Sequence, residues 1–198
     1  MGTPHKTWVL VTRNPGKARE FETLLEPRGI SILTLNDIGF KDEIAETGET
    51  FEENARLKVK AVAGLTAYPV IADDSGLEVD YLQGRPGVRS ARYAGEDAGD
   101  EENRVKLLKE LNGVSERRAR FVCLLAYTSG SGKHRLFRAV CEGCISLAQA
   151  GSNGFGYDPV FIPEGFDQTL GELDSSIKMS LSHRAKAVEK LLREMVIR

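Results

Sequence analysis

The chain has 198 residues, of which 41% are hydrophobic and 28% are charged. This is the composition of an ordinary globular protein of one domain or two closely packed lobes. The formal net charge of −2 provides no general basic field, so we expect no nucleic-acid partner. No apolar run approaches the roughly 20 residues that span a bilayer, and the N-terminus lacks the apolar segment of a signal peptide. We therefore expect no membrane association and a cytoplasmic location.

The first predicted elements are a buried strand and two well-capped helices. Residues 7–12 are predicted to form the strand, after which Asn14 stands at an N-cap position with Pro15 at the first helical position. A second helix is predicted to begin with the capping box of Thr50 and Glu53 and to end at Gly64. A strand, a short polar turn and a helix in this order are typical of an α/β layer.

The remaining elements complete a mixed α/β pattern. Helices are predicted over residues 100–111, with Val105, Leu108 and Leu111 facing inward, and over residues 182–196. Strands are predicted over 70–72, 120–127, 135–142, 145–148 and 159–162, the second and third of them joined as a hairpin by a Ser/Gly-rich turn. We expect residues 1–198 to form a single mixed α/β domain of two lobes around a central sheet, with the ligand site in the cleft between the lobes.

The three cysteines do not form a disulfide framework. Cys123 lies in an apolar run and is predicted to be a small core residue. Cys141 and Cys144 form a single CxxC, which is weak evidence for zinc without a second pair or neighbouring histidines. Ordinary thiols within a strand are the favoured interpretation, and metal or redox use is the weaker alternative.

Two adjacent carboxylates, Asp73 and Asp74, follow the buried strand predicted at residues 70–72. Neighbouring acids at the end of a buried strand repel each other and are costly to desolvate. A chain tolerates them when a cation lies between them or when the site carries chemistry. Because Asp, Ser and Gly are also common in turns, a hairpin turn over the same residues is an equal alternative.

Residues 12–17 lie where the first strand meets the first helix. Free N–H groups and partial positive charge at a helix N-terminus bind phosphate, and Lys17 adds a full charge. The similarity to a P-loop is superficial, because the first glycine is missing and Ala18 replaces the Mg²⁺-binding hydroxyl. A plain capped helix with a solvated lysine is the alternative. Two further charges, Glu46 before the second helix and Lys58 on it, are each more typical of a surface when taken singly.

Two later segments have the composition of a base-binding site. Residues 151–159 contain glycines that allow close approach of a ligand, with Phe155 and Tyr157 as flat faces and Asp158 as an acceptor. A tight turn with core aromatics is the alternative. Ser182 is predicted to cap the last helix, which places His183 and Arg184 in its first turn. Cations there oppose the helix dipole, a local conflict that often marks function, although solvated side chains are the alternative.

Six motifs in this order resemble the inosine triphosphate pyrophosphatase family. They are T-x-N-x-x-K from Thr12, E-T-G-x-T-F-x-E-N-A from Glu46, A-D-D-S-G-L from Ala72, P-G-V-x-S-A-R-Y from Pro86, G-F-G-Y-D-P from Gly154 and S-H-R from Ser182. The resemblance covers the chain from Thr12 to about Leu192. It departs at Ser152-Asn153, where relatives often have Thr-Gly, which leaves the stiffness of that loop open.

The resemblance implies an elongated two-lobed fold, a homodimer, and Mg²⁺-dependent hydrolysis of ITP, dITP and XTP to monophosphate and pyrophosphate. It implies that Asp74 is the catalytic, metal-binding acid and that Glu46 is a second metal ligand, with Asp73 in a supporting role. Lys17 and Lys58 are implied as catalytic phosphate-stabilising groups. The implied substrate-binding residues are Thr12, Arg13, Asn14, Pro15, Gly16, Lys17, Ser75, Phe155, Gly156, Tyr157, Asp158, Lys178, His183 and Arg184.

Two other functions remain open at this stage. One is a nucleotide-binding regulator without turnover, against which the intact acids and lysines argue. The other is a related pyrophosphatase for substrates such as modified pyrimidine triphosphates, against which the S-H-R and G-F-G-Y-D segments argue. Residues 81–93 are a plausible exposed segment for a dimer interface.

Overall fold

A computed structural model describes residues 6–130 and 133–196 of the chain as a mixed α/β protein. Its six-stranded sheet has the order β2-β1-β3-β4-β5-β6. The strands are β1 (Lys6–Val11), β2 (Ile30–Leu33), β3 (Val70–Val79), β4 (Arg118–Thr128), β5 (Arg135–Ile145) and β6 (Phe161–Pro163). Strand β1 pairs in parallel with both β2 and β3, whereas β5 and β6 are antiparallel. The prediction of a mixed central sheet is confirmed.

Five α-helices accompany the sheet in the described residues. They are α1 (Pro15–Leu25), α2 (Phe51–Ala63), α3 (Asp100–Glu110), α4 (Ser175–Leu181) and α5 (His183–Val196). Both predicted helix starts are confirmed, since the Asn14 side chain accepts from the Lys17 N–H and Thr50 and Glu53 form the capping box. Strands β4 and β5 are neighbours in the sheet, and the Ser/Gly-rich turn predicted between them lies partly outside the described residues.

The described residues separate into two compact units. The first comprises 6–74, 123–130, 133–138 and 187–196, and the second comprises 75–122 and 139–186. The core of the first unit packs α2 residues such as Val59 and Val62 with β1 and β3. The core of the second unit packs Leu107 and Leu111 with Phe161 and neighbouring residues. The predicted cleft between two lobes stays a prediction.

Strand β3 differs from the prediction in a way that changes the site. The strand continues without interruption from Val70 to Val79, so Asp73 and Asp74 lie inside it rather than at its end. The alternative of a hairpin turn over these residues is wrong. Because successive side chains of a strand point to opposite faces, the two carboxylates face different surroundings.

Three other predictions are corrected. Residues 145–148 are not a strand, because β5 ends at Ile145 and Leu147 is 84% exposed. Residues 158–160 form a 3₁₀ turn, and β6 begins only at Phe161. On α3, Val105 is 52% exposed whereas Leu107 and Leu111 are buried. The buried residues of α3 include the polar Asn103. Its side-chain amide donates to the Ala91 carbonyl and its side-chain oxygen accepts from the Ala94 N–H. A pattern of apolar residues alone does not identify such a position.

The exposure difference on α3 gives a stability prediction. Replacing Leu107 with Ala should lower the free energy of unfolding by about 2–5 kcal/mol, because it leaves a cavity in a packed core. Val105→Ala should change it by less than about 0.5 kcal/mol, because the side chain is largely in water. Chemical denaturation of both variants measures the contrast. Equal losses for the two would contradict the observed face of α3.

Candidate active site

The first cluster of charged residues forms around the ammonium group of Lys58. This group lies 2.7 Å from Asp74 Oδ1 and 3.0 Å from Glu46 Oε1. Helix α2 supplies the lysine, β3 supplies Asp74, and the loop before α2 supplies Glu46. The side chains of Lys58 and Asp74 are 10% and 7% exposed, whereas that of Glu46 is 33% exposed. Two carboxylates therefore meet at one cation, with one of them open to solvent.

Lys58 uses all of its hydrogen-bonding capacity inside this cluster. Its ammonium group also donates to the backbone carbonyl of Asp73 at 3.1 Å. An ammonium has three N–H donors, and the three acceptors are Glu46, Asp74 and that carbonyl. In this arrangement Lys58 orients the two carboxylates. To bind a phosphate as well, it would have to exchange one of these partners.

Asp73 has a different lysine as its partner. Its Oδ2 lies 2.6 Å from the ammonium group of Lys17, which α1 presents from its first turn. Its Oδ1 accepts from the thiol of Cys123 at 3.2 Å. Cys123 is buried as predicted, and its contact with Asp73 was not foreseen. Asp73 is thus held from two sides.

The loop that carries Glu46 is docked on α2 through Asn54. The side-chain oxygen of Asn54 accepts from the Gly48 N–H at 2.8 Å, and its amide lies 3.4 Å from Asp74 Oδ2. A Cβ at position 48 would lie 2.6 Å from the Cβ of Glu53 and 2.7 Å from Asn54 Oδ1. Only glycine fits at this approach. Asn54 thereby links the loop of Glu46 to Asp74.

The segment from Thr12 to Lys17 is arranged as a capped helix start. Thr12 Oγ1 accepts from the Asn14 N–H at 3.1 Å. Arg13 donates to the backbone carbonyls of Lys41 and Asp42 at 3.0 and 2.9 Å, and its contact with substrate stays a prediction. Pro15 is exposed and Gly16 is buried. Lys17 is the full positive charge of this segment that lies in the cluster.

Burial and charge shift the acid–base properties of the cluster. Burial raises the pKa of Asp74 to about 6, and the charges of Lys58 and Lys17 only partly oppose that rise. Burial alone would lower the pKa of Lys58, but the charges of Asp74 and Glu46 outweigh it and raise the pKa. The lysine therefore stays charged at neutral pH. The raised pKa of Asp74 brings its proton exchange closer to neutral pH.

The donor set of the cluster fits a hard divalent cation. Glu46 and Asp74 offer carboxylate oxygens that converge on the same ammonium group. Mg²⁺ is commonly held by one or two carboxylates together with water and substrate phosphates. The described residues contain no group of three or more His, Cys, Asp or Glu side chains able to hold a metal by themselves. A cation here would need oxygen ligands from the substrate and water.

A second cluster lies in the glycine-rich segment and the two C-terminal helices. Asp158 Oδ2 accepts from the Phe155 N–H at 2.9 Å and lies 2.8 Å from the ammonium group of Lys178. Gly154 has a φ of +81°, and a Cβ there would lie 2.0 Å from Asp158 Oδ2. The predicted residues Phe155, Asp158 and Lys178 are therefore brought together, and Gly154 permits their close approach.

Two cationic groups lie over the ring of Phe155. Its ring centre lies 4.9 Å from the ammonium group of Lys178 and 5.3 Å from the guanidinium of Arg184. The neighbouring His183 stacks on Phe121 at 5.0 Å with nearly parallel rings. As predicted, Ser182 caps α5, with Oγ accepting from the Arg184 N–H at 3.1 Å. Both His183 and Arg184 are buried, so the alternative of solvated side chains is wrong.

Two further predicted substrate-binding residues, Tyr157 and Ser75, lie within the core of the second unit and within β3, respectively. Tyr157 is buried, and its hydroxyl donates to the Ser90 carbonyl at 2.9 Å. Burial raises the pKa of this hydroxyl. The ring of Tyr157 belongs to the core of the second unit, so Phe155 is the better candidate for stacking. Ser75 is half-buried in β3 directly after Asp74.

The remaining sequence features lie outside both clusters. Cys141 is buried and Cys144 is exposed, and residues three apart in a strand point to opposite faces. The two thiols are thus not arranged to act as a pair.

Among the described residues, no helix is long and apolar enough to cross a membrane.

The structure defines a mixed α/β protein whose candidate active site is a buried lysine–carboxylate cluster. The model of the Ham1 family matches residues 8–194. The chain therefore belongs to the Ham1 family, and the resemblance inferred from the six motifs is confirmed.

Named relatives and solved structures agree with this assignment. The chain is 52% identical over 188 residues to a dITP/XTP pyrophosphatase of Bacillus licheniformis, covering 94% of this chain and 96% of the relative. A similar protein of Bacillus subtilis is 50% identical over 188 residues, covering 94% and 95%. The structure of a HAM1 protein from Coxiella burnetii superposes with a TM-score of 0.87 at 37% identity, covering 98% of this chain and all of that one (100%).

The environment of Asp74 gives a titration prediction. In the metal-free protein with EDTA, carbon-detected NMR should show Asp74 titrating near its raised pKa of about 6, because burial disfavours its charged form. Since the folded pKa lies above the unfolded one, the stability contributed by Asp74 is fully present below about pH 4. It is lost as the pH rises through about 6.

Two controls accompany this titration. The resonance is assigned by its disappearance in Asp74→Asn. Asp37 serves as an internal comparison, because hydrogen bonds from Thr34 lower its pKa. A midpoint for Asp74 at or below that of Asp37 would contradict the described burial.

Proposed function

We propose that this protein hydrolyses ITP, dITP and XTP to the nucleoside monophosphate and pyrophosphate, and so removes deaminated purines from the nucleotide pool. The observation that carries the proposal is the cluster in which Lys58 holds Glu46 and Asp74. The names of the relatives, dITP/XTP pyrophosphatases at 50–52% identity, support the same substrate class.

In the proposed reaction, a water molecule attacks the α-phosphorus. The new bond joins the water oxygen to the α-phosphorus, and the bond from that phosphorus to the oxygen bridging to the β-phosphorus breaks. Asp74 Oδ2 orients the water and takes its proton, for which a pKa of about 6 is well suited at neutral pH. Pyrophosphate leaves with the electron pair of the broken bond.

We assign the cation to Mg²⁺, held by Glu46 and Asp74. When bound, Mg²⁺ supplies charge neutralisation for the phosphates and lowers the pKa of a coordinated water. Lys58 fixes the orientation of both carboxylates, and Lys17 supplies a second positive charge for the departing phosphates. The catalytic role of Lys58 is thus mainly the positioning of Glu46 and Asp74.

The second cluster is proposed to recognise the base. Phe155 offers a ring for stacking, while His183 and Arg184 donate to the 6-oxo group of hypoxanthine or xanthine. Adenine carries an amino group at that position, so the same donors would face another donor. Buried polar mismatches of this kind discriminate strongly between substrates.

We further propose a cytoplasmic homodimer, whose interface includes residues 81–93, where Tyr81 is exposed.

The catalytic assignment is tested by Asp74→Asn. We expect kcat for ITP to fall on the order of 10²-fold or more, because the variant loses the base and a metal ligand. A pyrophosphate-release assay with Mg²⁺ measures the loss, and circular dichroism confirms the fold. Asp97→Asn is the matched control, since Asp97 is exposed, and it should retain normal turnover. Near-normal hydrolysis by Asp74→Asn would overturn the assignment.

The substrate class is tested with a panel of nucleoside triphosphates and with Arg184→Met. The parent protein should prefer ITP and XTP over ATP and over modified pyrimidine triphosphates. The variant should lose on the order of 10-fold in the ITP-to-ATP ratio of kcat/KM, because one donor to the 6-oxo group is gone. Arg193→Met, on an exposed turn of the same helix, is the control. An unchanged ratio in Arg184→Met would remove Arg184 from base recognition, and an absence of turnover with every nucleotide would favour a regulator.

A further inference from the structure

The first two turns of α3 hold the peptide groups on both sides of Gly156. The Gly156 N–H donates to Asp100 Oδ2 at 2.7 Å, and the Gly156 carbonyl accepts from Arg104 Nη1 at 2.7 Å. The two side chains are four residues apart and lie on the same face of the helix. Gly156 directly follows Phe155, so this contact fixes the backbone next to the ring assigned to base stacking.

A closed hydrogen-bond network keeps Arg104 in position. Its Nε donates to Gln149 Oε1 at 2.7 Å, and its Nη2 donates to Glu101 Oε2 at 2.6 Å. Gln149 in turn donates to Glu101 Oε1 at 2.8 Å. The hydrogen bonds from Gln149 and Arg104 lower the pKa of Glu101, which therefore remains charged. A guanidinium has five N–H donors in a rigid fork, which suits three simultaneous acceptors.

Phe155 is also fixed on its other side. Its own N–H donates to Asp158 Oδ2, and Asp158 pairs with Lys178. Consecutive N–H groups, those of Phe155 and Gly156, are thus each bound by a carboxylate from a different element. These two hydrogen bonds restrict the backbone of Phe155 on both sides of its Cα. None of the motifs that indicate the function includes Arg104.

We propose that Asp100 and Arg104 are positioning residues that hold the Phe155 ring in place for the nucleotide base, and that they set affinity for the base without choosing between bases. The inference rests on the proposed function, because it needs Phe155 to stack on a base. Stacking on an aromatic ring is tolerant of base identity. Discrimination is left to the donors His183 and Arg184.

The test compares Arg104→Met, Phe155→Ala and the double variant with the parent protein. Arg104→Met removes the donors but keeps the aliphatic stem. We expect KM for ITP to rise on the order of 10-fold in Arg104→Met, from the loss of charge-assisted hydrogen bonds. We expect kcat and the ITP-to-ATP ratio of kcat/KM to stay within about threefold of the parent, as for uniform binding. The double variant should be no worse than Phe155→Ala, because both changes act through one ring.

Two further variants separate positioning from general stability. Asp100→Asn keeps an oxygen that can accept from the Gly156 N–H and should retain the parent KM, whereas Asp100→Ala should raise it. Lys109→Met removes a positive charge from an exposed site on the same helix and should change neither constant. Thermal unfolding of each variant shows whether the fold persists at the assay temperature.

The outcomes distinguish the inference from the function on which it rests. If Phe155→Ala leaves KM for ITP unchanged, the proposed base site is wrong. If Phe155→Ala raises KM but Arg104→Met and Asp100→Ala do not, the base site stands and the positioning role is overturned. Fully multiplicative effects in the double variant, or a shift in the ITP-to-ATP ratio, would also overturn it.

Discussion

The site depends on the division of two adjacent carboxylates between the opposite faces of β3. Side by side in a turn, Asp73 and Asp74 would repel each other at a cost that burial increases. In an extended strand each carboxylate meets its own lysine, Lys17 from α1 and Lys58 from α2. These ion pairs connect β3 to α1 and to α2. Each of the two lysines is oriented by the carboxylate with which it pairs.

Specialisation of the two acids follows from these surroundings. Asp73 is held by Lys17 and by the thiol of Cys123. Among the described residues, the hydrogen-bond contact of Asp74 Oδ2 is the long one with Asn54. Removing one partner of a buried ion pair leaves an uncompensated charge, which is strongly destabilising. The same lysines therefore serve stability before substrate arrives.

Local signals in the sequence were sufficient for the helix starts but not for the contacts between distant segments. Asn14 and Thr50 predict the starts of α1 and α2, because capping depends on residues within one turn. Of the three residues predicted to face inward on α3, Leu108 and Leu111 pack in or against the core, whereas Val105 is exposed. The buried Asn103 on the same helix was missed because hydrogen bonds, not apolarity, hold it there. The motifs name Glu46, Lys58 and Asp74, and the folded chain brings these three side chains together. Only the folded chain shows that Lys58 contacts both carboxylates and that Arg13 donates to backbone carbonyls. The contacts of Arg104 span 45 and 52 residues, beyond any local pattern.

The close approach at Gly48 has a consequence for how this protein can vary. Glycine at position 48 has no side chain to offer a ligand, yet any side chain placed there would collide with Glu53 and Asn54. Such a collision would displace the loop that carries Glu46 from its position on α2. In a saturation screen for activity, position 48 should therefore be as intolerant as a catalytic position while contributing no chemical group. Steric exclusion by Glu53 and Asn54 thus constrains the residue at position 48, although that residue supplies no side chain to the cluster.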